Sequence, residues 1–450
     1  MQVVVIGAGI TGLSAAVELR ARGAQVTVLE AADRAGGVIS TLRKDGYLVE
    51  AGPTSLNASS ALEGLIDRLG LGAKRLGPSP AAKRRFIVRD GALVALPSSP
   101  LDLVSTRALS ANAKLRLLRE PFLSATVDDQ DESVADLVRR RLGDEILTYL
   151  VNPFVAGIYA GDPERLSARH ALPLLFHAER RHGSLLVGGM REAKARAGVV
   201  RQKGLTSFAD GLRTLPDAMA ATLGTHLHLR AEVRSIAREG DGWRIQSVEN
   251  GSPTDRYADA VIYAGPAHRL HDLGLPDGIA PLLTPITSMQ HPPVATLALG
   301  FRRDEVAHAL DGFGLLCPAI EQRQVLGVLF SSSVFEGRAP RDHVLLTCFL
   351  GGSRSPDMGR METGQVLPRV LQDLKPLLGL RAAPTFVHHH RWQYAIPQYE
   401  LGHEAVTNSA AQVESMLPGV YFAGQWRGGV ALGDCITQGQ AMAVRVSTER

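Results

Sequence analysis

The stretch from Val3 to Glu30 constrains this chain more than any other. Val3-Val4-Val5-Ile6 is a short, apolar, β-branched run, the pattern of a buried strand. Gly7-Ala8-Gly9-Ile10-Thr11-Gly12 follows directly. Leu13 to Arg22 then has helical spacing and stops at Gly23. Gln25 to Leu29 reads as a second strand, ending on Glu30. GxGxxG alone says little. Between a strand and a helix, with an acid closing the next strand, it marks a dinucleotide site. Gly7 allows the tight turn, Gly9 lets a pyrophosphate approach the backbone, and Gly12 lets the helix pack close to the strand. The helix start offers unpaired N–H groups to phosphate, and Glu30 can accept hydrogen bonds from a ribose diol. The competing reading is a glycine turn that holds no ligand.

The next residues choose between cofactors. Ala31-Ala32-Asp33-Arg34-Ala35-Gly36-Gly37-Val38 follows Glu30. Arg-x-Gly-Gly at this spacing resembles the second half of the flavoprotein oxidase fingerprint, where twin glycines let the chain run flat along the diphosphate. A nicotinamide enzyme has no use for them, so FAD is expected, with Arg34, Gly36, Gly37 and Val38 beside it. The other end of the chain agrees. Val420 to Gly424 is a strand meeting a glycine, and Gly428-Gly429-Val430-Ala431-Leu432-Gly433-Asp434 opens a last helix. A helix N-terminus there suits negative charge on a flavin. Many flavoproteins carry an acid just after the strand glycine, but this chain has Gln425.

The 450 residues allow roughly three domains at about 150 residues each. Basic residues number 49 and acidic residues 45, a formal charge of +4, too weak for a nucleic-acid footprint. Cys317, Cys348 and Cys435 are odd in number and far apart, with no metal-ligand spacing, which points to a reducing compartment and no metal site. No secretory signal is expected, because no basic region precedes an apolar one at the start. No apolar window reaches the ~18 residues of a membrane span. A cytoplasmic location is expected, with peripheral attachment to the inner face of the cell membrane and a homodimer both left open.

Elsewhere the pattern predicts a helix over Leu62–Leu69 and a hairpin over 86–96 turned at Asp90-Gly91. Helical periodicity dominates from Leu101 to Arg201, as in Ser133 to Leu150. Paired strands are expected at Leu227–Ile236 and Trp243–Val248, and single strands at Asp259–Ala264 and Tyr421–Ala423. Helices are expected at Val366–Leu378 and Cys435–Val446. His388-His389-His390 would alternate faces in a strand, so all three cannot ligate one metal.

Several longer phrases identify the chain as resembling the protoporphyrinogen oxidase family of haem biosynthesis. They are Leu48-Val49-Glu50-Ala51-Gly52-Pro53-Thr54-Ser55, Lys83-Arg84-Arg85-Phe86, Leu96-Pro97-Ser98-Ser99-Pro100 and Asp131-Glu132-Ser133-Val134. Asn152 to Pro163 (NPFVAGIYAGDP), Ala395-Ile396-Pro397-Gln398-Tyr399, Gly402-His403 and Gly429 to Cys435 complete the set. The resemblance implies an α/β protein. A Rossmann-like FAD-binding domain (1–78, 205–265 and 410–450), like that of amine oxidases, is interleaved with an α+β substrate domain (79–100 and 266–409). A helical, membrane-contacting lobe covers 101–204.

The resemblance also implies a reaction. A porphyrinogen loses six electrons in three flavin cycles, and molecular oxygen leaves as hydrogen peroxide. Arg85 would bind a propionate, as a guanidinium fork suits a carboxylate; the bland reading is a solvated basic run. Gly157, in an Ala156–Tyr159 turn, would turn its carbonyl to the pyrrole nitrogens. Phe313, Gly314, Leu316 and Phe349 would sandwich the macrocycle, although each could be ordinary core. Gly52, Pro53, Thr54, Ser55, Val233, Gly424, Val430, Ala431 and Leu432 join the cofactor positions. No catalytic side chain beyond the flavin is expected, since positioning a reactive methylene against it could suffice. The same resemblance covers a coproporphyrinogen III branch; the phrases around Arg85 and Phe313 look like the protoporphyrinogen one. The other readings are an amine oxidase or desaturase, and a flavin-binding redox sensor without catalysis.

Overall fold

The computed structural model describes residues 1–98, 102, 105–124, 130–196 and 204–449. Ser99 and Pro100 of the third family phrase, and parts of the 101–201 helical stretch, lie outside the described residues. Three structural layers matter for the site.

The first is a five-stranded, wholly parallel sheet. Its strands run in the order Leu227–Leu229, Gln25–Glu30, Gln2–Ile6, Ala260–Tyr263 and Val420–Phe422. They come from both ends and the middle of the chain. The helix Ile10–Ala21 crosses from Gln2–Ile6 to Gln25–Glu30, buried along most of its length. The last helix, Leu432–Thr448, packs across it. Small residues permit that crossing: a Cβ at Gly439 would lie 2.3 Å from the Thr11 carbonyl oxygen. The second layer is an antiparallel meander, Ala231–Glu239, Gly242–Glu249 and Ser252–Ala258.

The third is a seven-stranded sheet. It runs Phe386–Trp392, Val294–Arg302, His343–Gly351, Val325–Leu329, Gly312–Leu316, Arg84–Arg89 and Ala92–Ala95. Every pairing is antiparallel except Gly312–Leu316 beside Arg84–Arg89. One face carries an apolar core that includes Leu297, Phe330, Leu346 and the helix Thr363–Leu378.

Two expected elements are divided in the structure. The run Leu227–Ile236 is two strands in two sheets, because Arg230 takes a left-handed φ of 52° and turns the chain out of the parallel sheet. The helical run Ser133–Leu150 breaks at Gly143, whose φ is 91°. The helix before the break, Val134–Arg141, starts on a Ser133 cap. After the break a π-type turn over Leu147–Val151 leads into the helix Asn152–Tyr159. Pro153, which lacks an N–H, stands at that junction. Gly157 therefore lies in a helix rather than in a turn. Strand Ser252–Ala258 and helix Glu404–Met416 are absent from the periodicity reading; the strand alternates exposed and half-buried residues too polar to stand out. The consecutive histidines do lie in a strand. His389 Nδ1 meets Thr363 Oγ1 at 3.0 Å and His390 packs on Trp392, with ring centroids 4.4 Å apart.

Candidate cofactor and substrate site

A cleft opens where the parallel strands end. Gly7, Glu30, Ala264 and Gly424 each stand at or just past the C-terminal end of a strand of that sheet, the usual place for a ligand in such a fold. Gly12 shows why the turn needs glycine. A Cβ there would lie 2.0 Å from the Gly7 carbonyl oxygen, so any side chain would lift the helix off the strand. At Gly9 a Cβ would meet nothing within 4 Å, so the backbone faces open space. Gly36 N–H donates to the Ala8 carbonyl at 2.8 Å, which lays the second glycine pair along the first.

Glu30 is held by two backbone donors, Ala8 N–H at 2.7 Å and Ala32 N–H at 2.9 Å. A carboxylate offers about four lone-pair sites, so it can still take a diol. The helices beginning at Ile10 and Leu432 have Gly9 and Ala431 as N-caps, neither bonded through a side chain. Both therefore present free N–H groups and a partial positive charge at the cleft. Open backbone at Gly9, two uncapped helix starts and a fixed carboxylate are the donor set that a diphosphate and a ribose require, and FAD fits these residues.

The expected cofactor residues divide by position. Gly7, Gly9, Ile10, Thr11, Glu30, Gly36, Gly37, Val38, Val233, Gly424 and Leu432 line the cleft. The others are not among its lining residues. Arg34 spends its guanidinium on the carbonyls of Ala35, Gly37 and Ile39, so it shapes the glycine loop. Gly52 lies under that loop, where a Cβ would come 2.1 Å from the Val38 carbonyl oxygen. Pro53, Thr54 and Ser55 continue from it toward the strand Leu56–Asn57. Val430 packs on the core of the helical lobe.

Other lining residues escape a sequence reading. Tyr263, Ala264, Gly265 and Pro266 form a third strand-to-glycine turn, and the buried run before Gly265 was the available signal. His268, His291 and Tyr394 come from three separate segments and carry no signal at all. His268 stacks on Tyr394 with centroids 4.2 Å apart, and burial pushes its imidazole down to about 4, so it is neutral at pH 7. Cys435 also lines the cleft. Burial pushes its thiol up to about 11, which leaves it a poor nucleophile.

The six expected substrate residues lie together, and none of them lines that cleft. Arg85 faces Gly314 across two paired strands, and its guanidinium carbon is 5.5 Å from the Phe313 ring centroid. Gly327 pairs with Leu316 on one side and Phe349 on the other, so those two flank a bare backbone. Gly157 approaches from the helix; a Cβ there would sit 3.3 Å from Leu316 Cδ2. Its carbonyl belongs to the last turn, where no further helical donor follows. Phe313, Leu316 and Phe349 are half-buried, while Gly157 and Arg85 are exposed. Arg84, next in line, is tied to Asp311 at 2.7 Å. The result is an apolar patch with one cation at its rim.

Comparison with known proteins identifies the family. Residues 10–447 match the model of the family described as flavin containing amine oxidoreductase. The mitochondrial protoporphyrinogen oxidase of Nicotiana tabacum is 35% identical, over 97% of this chain and 93% of its own. The coproporphyrinogen III oxidase of Bacillus subtilis is 29% identical, over 98% and 96%. A crystal structure from an Exiguobacterium species superposes with a TM-score of 0.83 at 27% identity, covering 100% of this chain and 99% of that one. With matches that run its whole length and a cleft built for the cofactor, this chain is an FAD-dependent oxidoreductase that belongs to the flavin containing amine oxidoreductases and, within them, to the protoporphyrinogen oxidase family.

Proposed function

We propose that the protein oxidises protoporphyrinogen IX to protoporphyrin IX, with molecular oxygen as the final electron acceptor. The observation that carries this reading is the half-buried patch of Phe313, Leu316 and Phe349 with the Arg85 guanidinium at its edge. A porphyrinogen has the matching chemistry, a large apolar ring system with carboxylates on one side. When bound, FAD supplies the hydride acceptor and returns the electrons to oxygen as peroxide. The chain's own residues bind and orient. Arg85 takes a propionate, the apolar side chains take the ring faces, and Gly157 offers its carbonyl to the pyrrole N–H groups. Three cycles remove six electrons.

Two observations favour protoporphyrinogen over coproporphyrinogen. Of the three consecutive cations, Arg84 is paired with Asp311, which lowers the net charge the rim offers to carboxylates. The 35% identical relative carries the protoporphyrinogen name and the 29% identical one the coproporphyrinogen name. Incubating the purified holoenzyme in air with each porphyrinogen tests the reading. Fluorescent porphyrin from protoporphyrinogen, with three peroxides for each porphyrin, is expected; no porphyrin from either substrate sinks it. Arg85→Ala is expected to raise KM about tenfold while kcat changes little, because the lost charge-assisted contact serves binding. Arg85→Lys should fall between. An unchanged KM in Arg85→Ala would remove the propionate role.

We also propose that the helix Ala111–Arg119 meets a membrane surface. Leu118 is 70% exposed and Phe122 is 88% exposed, with Arg119 beside them. Lys114 and Arg116 contribute less than their charge suggests, since they bond to the carbonyls of Thr106, and of Arg139 and Arg140. No helix among the described residues is long and apolar enough to span a bilayer. Leu118→Asp together with Phe122→Asp should abolish co-sedimentation with anionic vesicles. Equal pelleting of both proteins would end the idea.

A further inference from the structure

The segment 395–403 touches both halves of the site. Gln398 Nε2 donates to the Tyr159 carbonyl at 2.8 Å, at the end of the helix that carries Gly157. Tyr399, next in the chain, is 2% exposed. Its hydroxyl accepts from Gly429 N–H at 2.8 Å and donates to the Gln425 carbonyl. Those two residues lie within the loop 423–431, between the strand Val420–Phe422 and the last helix. Gln425 and Leu432 both line the cofactor cleft. The ring of Tyr399 is held too. It stacks on His403 with centroids 4.1 Å apart and an angle of 24°, and His403 meets His170 edge-on at 4.9 Å.

We infer that Tyr399 is a positioning residue for the cofactor, acting through the loop it staples. Trp426 bonds the Gly265 carbonyl and Arg427 bonds Glu414, which fix the start of that loop, but Gly428 and Gly429 have no side chains of their own, and Gly429 has a φ of 118°. The hydroxyl closes that loop from inside, with one acceptor and one donor interaction used at once. The last helix then starts at a fixed distance from the helix at Ile10, and its free N–H groups keep one position against bound FAD. Buried hydrogen bonds of this kind are strong because no water competes for them. The flavin's reduction potential is therefore set partly by a residue that does not line the cleft. This rests on FAD as the cofactor and not on the identity of the substrate.

Tyr399→Phe keeps the ring and the stack on His403 and removes only the hydroxyl. Tyr47→Phe is the control. Tyr47 is another buried tyrosine, stacked on Phe386 at 4.5 Å, with its hydroxyl at 3.3 Å from Thr385 and outside the cleft. The expected result for Tyr399→Phe is FAD affinity reduced about tenfold and a more negative flavin midpoint potential in a reductive titration against a reference dye. Tyr47→Phe should match the unaltered protein in both. No porphyrinogen is needed, so the outcome is independent of the substrate reading. Unchanged affinity and potential in Tyr399→Phe would overturn the inference. So would equal changes in both variants. Loss of the fold in Tyr399→Phe alone would overturn it as well, since the role would then be structural.

Discussion

Gly12→Ala should yield a chain that purifies without FAD. The added Cβ would stand 2.0 Å from the Gly7 carbonyl oxygen, and neither atom belongs to a flexible side chain. The helix must retreat by more than 1 Å to reach ordinary contact. Ile10 and Thr11 line the cleft at the start of that helix, so their N–H groups move with it. The retreat also drives the helix into Gly439, which already lies against the Thr11 carbonyl. Overpacking of this kind costs about 1–3 kcal/mol of stability. The larger effect falls on cofactor binding, expected to weaken at least ~100-fold because preorganised donors are displaced by a full ångström. Gly64→Ala is the matched control: it lies in the helix Ser60–Arg68, and a Cβ there meets nothing within 4 Å. That variant should gain about 0.5–1 kcal/mol, as alanine replaces glycine within a helix. The flavin absorbance per chain after gel filtration measures the difference. Full loading of Gly12→Ala would contradict the account.

The second large effect is expected at Arg141→Ala, in the helical lobe. Arg141 and Glu120 have side chains 1% and 0% exposed. Arg141 Nε donates to Glu120 Oε1 at 2.9 Å, and the same guanidinium serves the carbonyls of Leu123, Ser124 and Gly183. Ser184 Oγ and the Leu185 N–H also donate to Glu120. Burial alone would raise the carboxyl pKa. The donors from Ser184, Leu185 and Arg141 outweigh it, so the group is held below its ordinary value. Removing the arginine strands a buried carboxylate, at a cost of roughly 3–5 kcal/mol. Arg141→Met with Glu120→Leu should lie much closer to the original stability, because the Glu120 carboxylate goes with its partner and the neighbouring Glu179 keeps its pair with Arg140. Urea unfolding of the two variants beside the unaltered protein measures this, and a single variant no less stable than the double would refute it. The pH dependence follows from the same sign. A carboxyl whose folded pKa is depressed contributes stability above its unfolded pKa, and that contribution is lost as pH falls through the folded one.

These two sites differ in how much of them a reader of the sequence could see. The glycine turn, the twin glycines after Arg34 and the last strand-to-glycine element are local, and short-range sterics express them within a few residues. The expected cleft residues Gly9, Glu30, Gly37 and Leu432 were legible for that reason. Arg141 looked like one more basic residue in a charged helix, since nothing local shows that Glu120 and Ser184 close around it. Gly157 is expected in a turn, yet it lies inside the helix Asn152–Tyr159, packed close to Leu316. Arg230 ended a strand unannounced, because a left-handed arginine has no compositional mark.

The strand–glycine–helix unit from Gln2 to Glu30 was determined by sequence alone, as were the second glycine pair and the need for a dinucleotide there. Spacing along the chain is enough when the interacting groups are neighbours on it. Only the tertiary structure decided what else lines the cleft. It brought Ala264 to the same sheet edge, stacked His268 on Tyr394 from more than a hundred residues away, and set the Tyr399 hydroxyl inside the loop 425–429. It also gathered Arg85, Gly157, Leu316 and Phe349 onto one patch. Such contacts depend on strand order and helix crossing, which come from burying several apolar faces at once. No short window of the chain carries that information.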